Sequence, residues 1–111
     1  MGTDSGVAGR VARGEIRLYR FSAPDKQRPV LVLTRESAIS YLSAITVAPV
    51  ASTIRGVPSE VVLTEEDGMK HRCAVTLHSV VTVSKEHLGR PVAKLSAQRL
   101  TEVRHHTNEH A

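Results

Sequence analysis

The stretch that decides the fold is Gln27–Val50, QRPVLVLTRESAISYLSAITVAPV. It reads as two short apolar strands separated by a polar connection. Five of the six residues from Pro29 to Thr34 are apolar, the pattern of a strand buried on both faces. Val30 and Val32 are β-branched and fit a pleated surface. Pro29 has no amide donor, so it belongs at the first position of its strand. Arg28 therefore stands at a strand mouth, where a loop meets a rigid sheet. A cation held there is positioned and not merely solvated. Ala44 to Val50 forms the partner strand, and Arg35 to Leu42 between them is long enough for one or two helical turns only.

Outward from this pair, GEIRLYRF (Gly14 to Phe21) alternates, with Ile16 and Leu18 on a dry face and Arg17, Tyr19 and Phe21 on a mixed one. Ser22 to Gln27 is a turn-rich loop around Pro24-Asp25. After a loop over Ala51 to Pro58, Ser59 to Thr64 is a fourth strand, and Asp67-Gly68 is a hairpin signal. Cys73 to Val83 is too long for one average strand and is expected to bend near His78 and Ser79. Gly89 closes a helical turn, Arg90 to Leu95 is a last strand, and Ser96 caps a terminal helix with Leu100 and Val103 as its apolar contacts. The expected organisation is a flexible leader over 1–13, one small β-barrel over 14–104 and a frayed tail over 105–111.

The chain has 111 residues and only three aromatics, so its core must come from Val, Leu, Ile and Ala. The net charge is +4, and 11 of the 15 cations are Arg, which favours bidentate contact with phosphate or carboxylate. That balance leans toward a polyanionic partner. Cys73 is the only cysteine, which rules out an intrachain disulfide and fits a reducing compartment. No apolar run reaches membrane-spanning length, and the N-terminus lacks the apolar middle of a signal peptide. A Gly-rich phosphate loop and a serine elbow are both missing. His106 and His110 have a metal-ligand spacing, but in a fraying tail that spacing is incidental. His71 and Arg72 beside Cys73 are placed to lower its pKa, whereas a small apolar residue opening a strand is the plainer reading. What remains is a set of polar groups at strand ends: Glu15, Arg28, Ser52, Thr53, Arg55, Thr76, His78 and Ser79.

Four blocks in order, RGEIRLYRF, QRPVLVLTRE, ITVAPVASTIRGVPSEVVLT and VVTVSKEHLGRPVAKLSAQRL, resemble the MazF/PemK family, the toxin halves of bacterial type II toxin–antitoxin pairs. The resemblance covers about Arg13 to Val103. It implies a mainly β, SH3-like small barrel with a C-terminal helix, and a cytoplasmic homodimer. It implies growth inhibition by a sequence-specific endoribonuclease that uses no metal and no cofactor. The substrate would be single-stranded RNA, either messenger RNA or loops of transfer or ribosomal RNA. The implied reaction is attack of the ribose 2′-hydroxyl on the adjacent phosphodiester, leaving a 2′,3′-cyclic phosphate and a 5′-hydroxyl. It needs a base, an acid and a donor to the charge on phosphorus.

Carried over by residue, the family's RP arginine is Arg28. The threonine of the family's AP-x-T motif falls on Ala51, so either Ser52 takes over the contact or activity is reduced. The family's Asp-Gln falls on His78-Ser79, where an imidazole serves as base or acid near neutrality. Arg72-Cys73 stands where Asp-Ser is frequent, and Arg17 where a tryptophan is usual. The catalytic candidates are Arg28, His78 and Ser52. The RNA-binding candidates are Glu15, Tyr19, Phe21, Lys26, Gln27, Thr53, Arg55, Thr76 and Ser79. The implied partner is an antitoxin whose acidic, partly disordered segment covers the basic groove. The alternative is a weakened or non-nuclease toxin of the same fold that binds a protein such as DNA gyrase.

Overall fold

The computed structural model describes residues 10–21 and 27–109. Most of the leader, the turn over 22–26 with the candidate Lys26, and His110 lie outside the described residues. The strands are β1 Glu15–Tyr19, β2 Arg28–Val32, β3 Ala44–Ala51, β4 Glu60–Leu63, β5 Cys73–Thr76, β6 Val81–Ser84 and β7 Pro91–Lys94. One helical turn, α1 Glu36–Ile39, joins β2 to β3, and α2 Ala97–Glu109 closes the described chain. The sheet runs β4-β5-β3-β2-β1-β7, with β6 paired to the remaining edge of β3. All pairings are antiparallel. The sheet curls into a half-barrel with a C-terminal helix, the expected fold class.

The curl has its origin in β3, the longest strand. One edge pairs with β2 through Val30–Pro49, Leu31–Ala48 and Val32–Val47. The other edge changes partner midway: Ala44 to Val47 pair with β6, and Val50 and Ala51 pair with β5. The change falls at Ala48-Pro49, and a proline has no N–H for a ladder. The Pro49 carbonyl instead accepts the Thr76 hydroxyl at 2.9 Å. Leu77 to Ser79 make a 3-10 turn that bends the Cys73–Val83 stretch into β5 and β6 where a bend was expected.

Both faces of β2 are buried, as its composition required. Leu31 joins Ile16, Ala48, Val50, Leu63, Val75, Leu95 and Val103 on one side. Val30 and Val32 join Ile39, Ile45, Val47, Val83 and Leu88 on the other. The hairpin expected at Asp67-Gly68 is present, with β4 and β5 paired antiparallel from Glu60–Thr76 to Leu63–Cys73, and its connection contains a 3-10 turn over Glu65–Asp67. Its cause is Asp67, whose carboxylate accepts the Thr64 amide at 2.9 Å and the Arg99 Nε–H at 3.0 Å. Arg99 also donates to the Val62 carbonyl and Glu102, which pins α2 to the barrel. The Ser96 hydroxyl caps the helix as expected, accepting the Arg99 amide at 3.2 Å. The helix continues to Glu109, through residues read from sequence as a frayed tail.

Residues 10–13, read as leader, are held against the barrel. Ala12 N–H donates to Glu15 and Arg13 N–H to Glu36, both at 2.9 Å. Gly14 follows, with φ at 90°, its N–H on Val32 and its carbonyl accepting from Leu95. A Cβ there would stand 2.8 Å from Leu100 Cδ1 of α2. Gly14→Ala therefore combines overpacking with a left-handed backbone, and we expect a loss of about 1–3 kcal/mol. Urea unfolding measures it; an unchanged midpoint would mean that α2 is not seated on Gly14.

Candidate active site

Arg28 and Pro29 open β2 at one wall of a cleft of about 570 Å³. Leu18 of β1 forms part of the floor, because β1 is the neighbour of β2 and pairs Leu18 with Pro29. Arg90 and Pro91 stand on the other side of β1, where the chain enters β7. The end of β3 contributes Ala51 and Ser52, and the connection into β5 contributes Lys70 and His71. Among the described residues no carboxylate lines this cleft, while two arginines and a lysine do. Cations gathered without counterions make a strongly positive concavity suited to an oxyanion.

Of the sequence candidates, Arg28 and Ser52 meet in this cleft. Gln27 precedes Arg28, and its side-chain amide lies against Gly89 beside the Arg90 wall. Tyr19 is the ladder partner of Arg28 and meets Phe21 edge-to-face with ring centroids 4.9 Å apart. The remaining candidates lie elsewhere. The Glu15 carboxylate accepts Arg17 Nε–H at 2.8 Å and the Ala12 amide. Thr76 is buried with its hydroxyl on Pro49. Thr53 and Arg55 belong to a loop folded over buried Glu60, whose carboxylate accepts the Arg55 and Gly56 amides at 3.0 and 2.9 Å. His78 and exposed Ser79 sit on the 3-10 turn after β5, with His78 Nδ1 2.6 Å from Ser59 Oγ.

Alternation along β1 placed Arg17 on a mixed outer face. The structure buries it to 2% exposure, because Glu15, Gly89 and Arg10 converge on its guanidinium. Sequence reasoning also missed Lys70 and Arg90. A signal for Arg90 was present: Arg-Pro-Val occurs at 28–30 and again at 90–92. Cys73 lines the inner cleft but is buried. Burial, with the nearby Asp67 charge, pushes its thiol up from the ordinary value, the reverse of an activated nucleophile.

A family model described as "PemK-like, MazF-like toxin of type II toxin-antitoxin system" matches residues 12–110. The chain belongs to this family. The toxin is 42% identical over 90 residues to the probable endoribonuclease MazF5 of Mycobacterium tuberculosis, covering 80% of this chain and 82% of that one. It is 37% identical over 75 residues to endoribonuclease MazF3 of the same species, covering 68% and 73%. The solved Mycobacterium tuberculosis toxin MazF-mt6 matches with a TM-score of 0.77 at 30% identity, over 86% of this chain and 93% of that chain. A mycobacterial endoribonuclease solved in complex with its cognate antitoxin shares the fold, with a TM-score of 0.80 at 14% identity over 90% and 93%.

The raised Cys73 pKa has a measurable sign. The unfolded thiol ionises first as pH rises, so the unfolded state loses its proton before the folded one. Stability therefore falls once pH passes the ordinary thiol range, about 8.5. Thermal melts of the toxin between about pH 7 and 10 should show a decline that Cys73→Ala lessens. Equal declines would place the thiol in a solvated setting.

Proposed function

We propose that the toxin cuts single-stranded RNA at particular sequences without a metal, by attack of the ribose 2′-hydroxyl on the adjacent phosphodiester. The products are a 2′,3′-cyclic phosphate and a 5′-hydroxyl. The nucleophile is already adjacent, so the protein's task is orientation, proton transfer and charge stabilisation. The observation that carries this reading is Arg28, placed at the first position of β2 in a cleft that, among the described residues, is lined by cations and no carboxylate. Its guanidinium is always charged and presents a planar fork of donors to the oxygens on phosphorus. Ser52 supplies the hydroxyl that the family keeps one position earlier, at Ala51.

An imidazole serves as acid or base. His78 was the candidate from the resemblance, but His71 shares the cleft with Arg28 while His78 is coupled to Ser59. We assign the role to His71. Removing the working imidazole should lower kcat about 10²–10⁴-fold. His71→Ala is expected to show that loss and His78→Ala to keep the wild-type rate; the converse would return the role to His78.

The toxin acts in the cytoplasm as a homodimer, and the cognate antitoxin lays an acidic segment over the cleft in competition with RNA. The charge of the cleft supports that competition. Incubation with total RNA in EDTA, followed by end-group mapping, tests the reaction. New 5′-hydroxyl ends are expected. Intact RNA with arrested DNA supercoiling would instead make the toxin a gyrase binder. Arg28→Ala should lower kcat about 10²–10³-fold with the melting temperature unchanged; wild-type cleavage by that variant would remove Arg28 from the mechanism.

A further inference from the structure

We propose that Arg90 is a second phosphate-binding residue and that buried Arg17 is the positioning residue that fixes it; this rests on the RNA-cleaving reading above. The two Arg-Pro-Val tripeptides, 28–30 and 90–92, flank the same strand. Leu18 of β1 pairs with Pro29 on one side, and Arg17 pairs with Pro91 on the other. Leu18 N–H donates to the Arg90 carbonyl at 3.3 Å. With strands about 4.8 Å apart, the backbones of Arg28 and Arg90 lie about 10 Å apart across β1. Both side chains are exposed and both line the one cleft. Among the described residues neither joins an ion pair, whereas Arg17 and Arg99 both do. Two unpaired guanidiniums on opposite walls suit two phosphates of one strand.

The peptide before Arg90 is held from below. Gly89 N–H donates to the Leu18 carbonyl at 2.7 Å, and its own carbonyl accepts Arg17 Nη1–H at 3.0 Å. The approach is close enough that a Cβ on Gly89 would lie 3.1 Å from the Leu18 oxygen. Arg17 is itself locked by Glu15 at 2.8 Å and the Arg10 carbonyl at 2.9 Å. A buried cation with all three of its nitrogens engaged holds the 89–90 peptide in place, so little backbone freedom is left to lose when RNA binds.

The two exposed arginines then have separable roles. Arg28 meets charge that grows in the transition state and acts on kcat. Arg90 holds a phosphate that does not react, which it binds equally before and during the reaction, and so acts on KM.

The test uses the full-length toxin, an oligonucleotide spanning one mapped cleavage site, and its 2′-O-methyl counterpart, which lacks the attacking hydroxyl. Arg90→Ala is expected to weaken binding of the 2′-O-methyl strand about tenfold and to reduce the salt slope by about 0.7. It should raise KM with kcat held within about twofold. Arg90→Lys should restore the salt slope. Arg17→Lys keeps a charge but cannot reach three acceptors, and it should raise KM in the same way. The double variant should be no worse than Arg90→Ala alone. Gly89→Ala crowds the same peptide and tests the link should Arg17→Lys not fold. Unchanged binding and salt slope in Arg90→Ala would overturn its phosphate contact, and additive effects would overturn the link to Arg17. If the wild type cuts no RNA, the cleavage reading fails instead, and a 2′-O-methyl strand of mixed sequence still judges Arg90.

Discussion

The structure depends on one strand holding three neighbours. Ala44–Ala51 gives one edge to β2 and divides the other between β6 and β5. Backbone donors and acceptors buried in a core must be paired, so a strand cannot change partners without a local substitute for the lost ladder bond. Pro49 removes one donor at the change, and the Thr76 hydroxyl supplies a partner for its carbonyl. The sheet therefore folds over at this point and encloses two apolar clusters, one on each face of β2. A core of aliphatic residues without a single tryptophan is sufficient because one strand contributes to both.

The same constraint sets the chemistry. A strand buried on both faces cannot shift, and Arg28 is its first residue. Among the described residues the charge of the cleft is uncompensated, because the acids around it are engaged elsewhere. Glu15 holds Arg17, Glu60 holds the amides of its own loop, and Asp67 holds Thr64 and Arg99. An anionic strand entering there would meet cations whose backbones the barrel holds in place and whose charges are not drawn off by these acids, which favours electrostatic stabilisation of a transition state.

Much of this was legible in the sequence, for definite reasons. The apolar run after Pro29 marks a doubly buried strand, and the position of Arg28 follows directly from it. The bend near His78 follows from the length of the Cys73–Val83 stretch, and the Ser96 cap from local chemistry. Arg17 was illegible because period-2 alternation reports a face, whereas its partners arrive from Arg10 and Gly89, outside its own strand. The Asp67-Gly68 signal marked the β4–β5 hairpin, but the 3-10 turn inside it was illegible because Asp67 has a tertiary partner in Arg99. The cleft was half legible. Arg28 and Ser52 carried a motif, but Arg90 and His71 reach it only through sheet order. Thr76 and His78 were attractive as polar breaks in an apolar stretch, and their hydrogen bonds to Pro49 and Ser59 explain why those breaks exist.

The central claim is that a fork of guanidinium donors, and not positive charge alone, meets the phosphate at the mouth of β2. Its most direct measurement is the single-turnover cleavage rate of Arg28→Lys at saturating RNA, set beside its affinity for an uncleavable strand. The rate should fall about a hundredfold while the affinity stays within about twofold. A lysine variant that cleaves at the wild-type rate would contradict the claim.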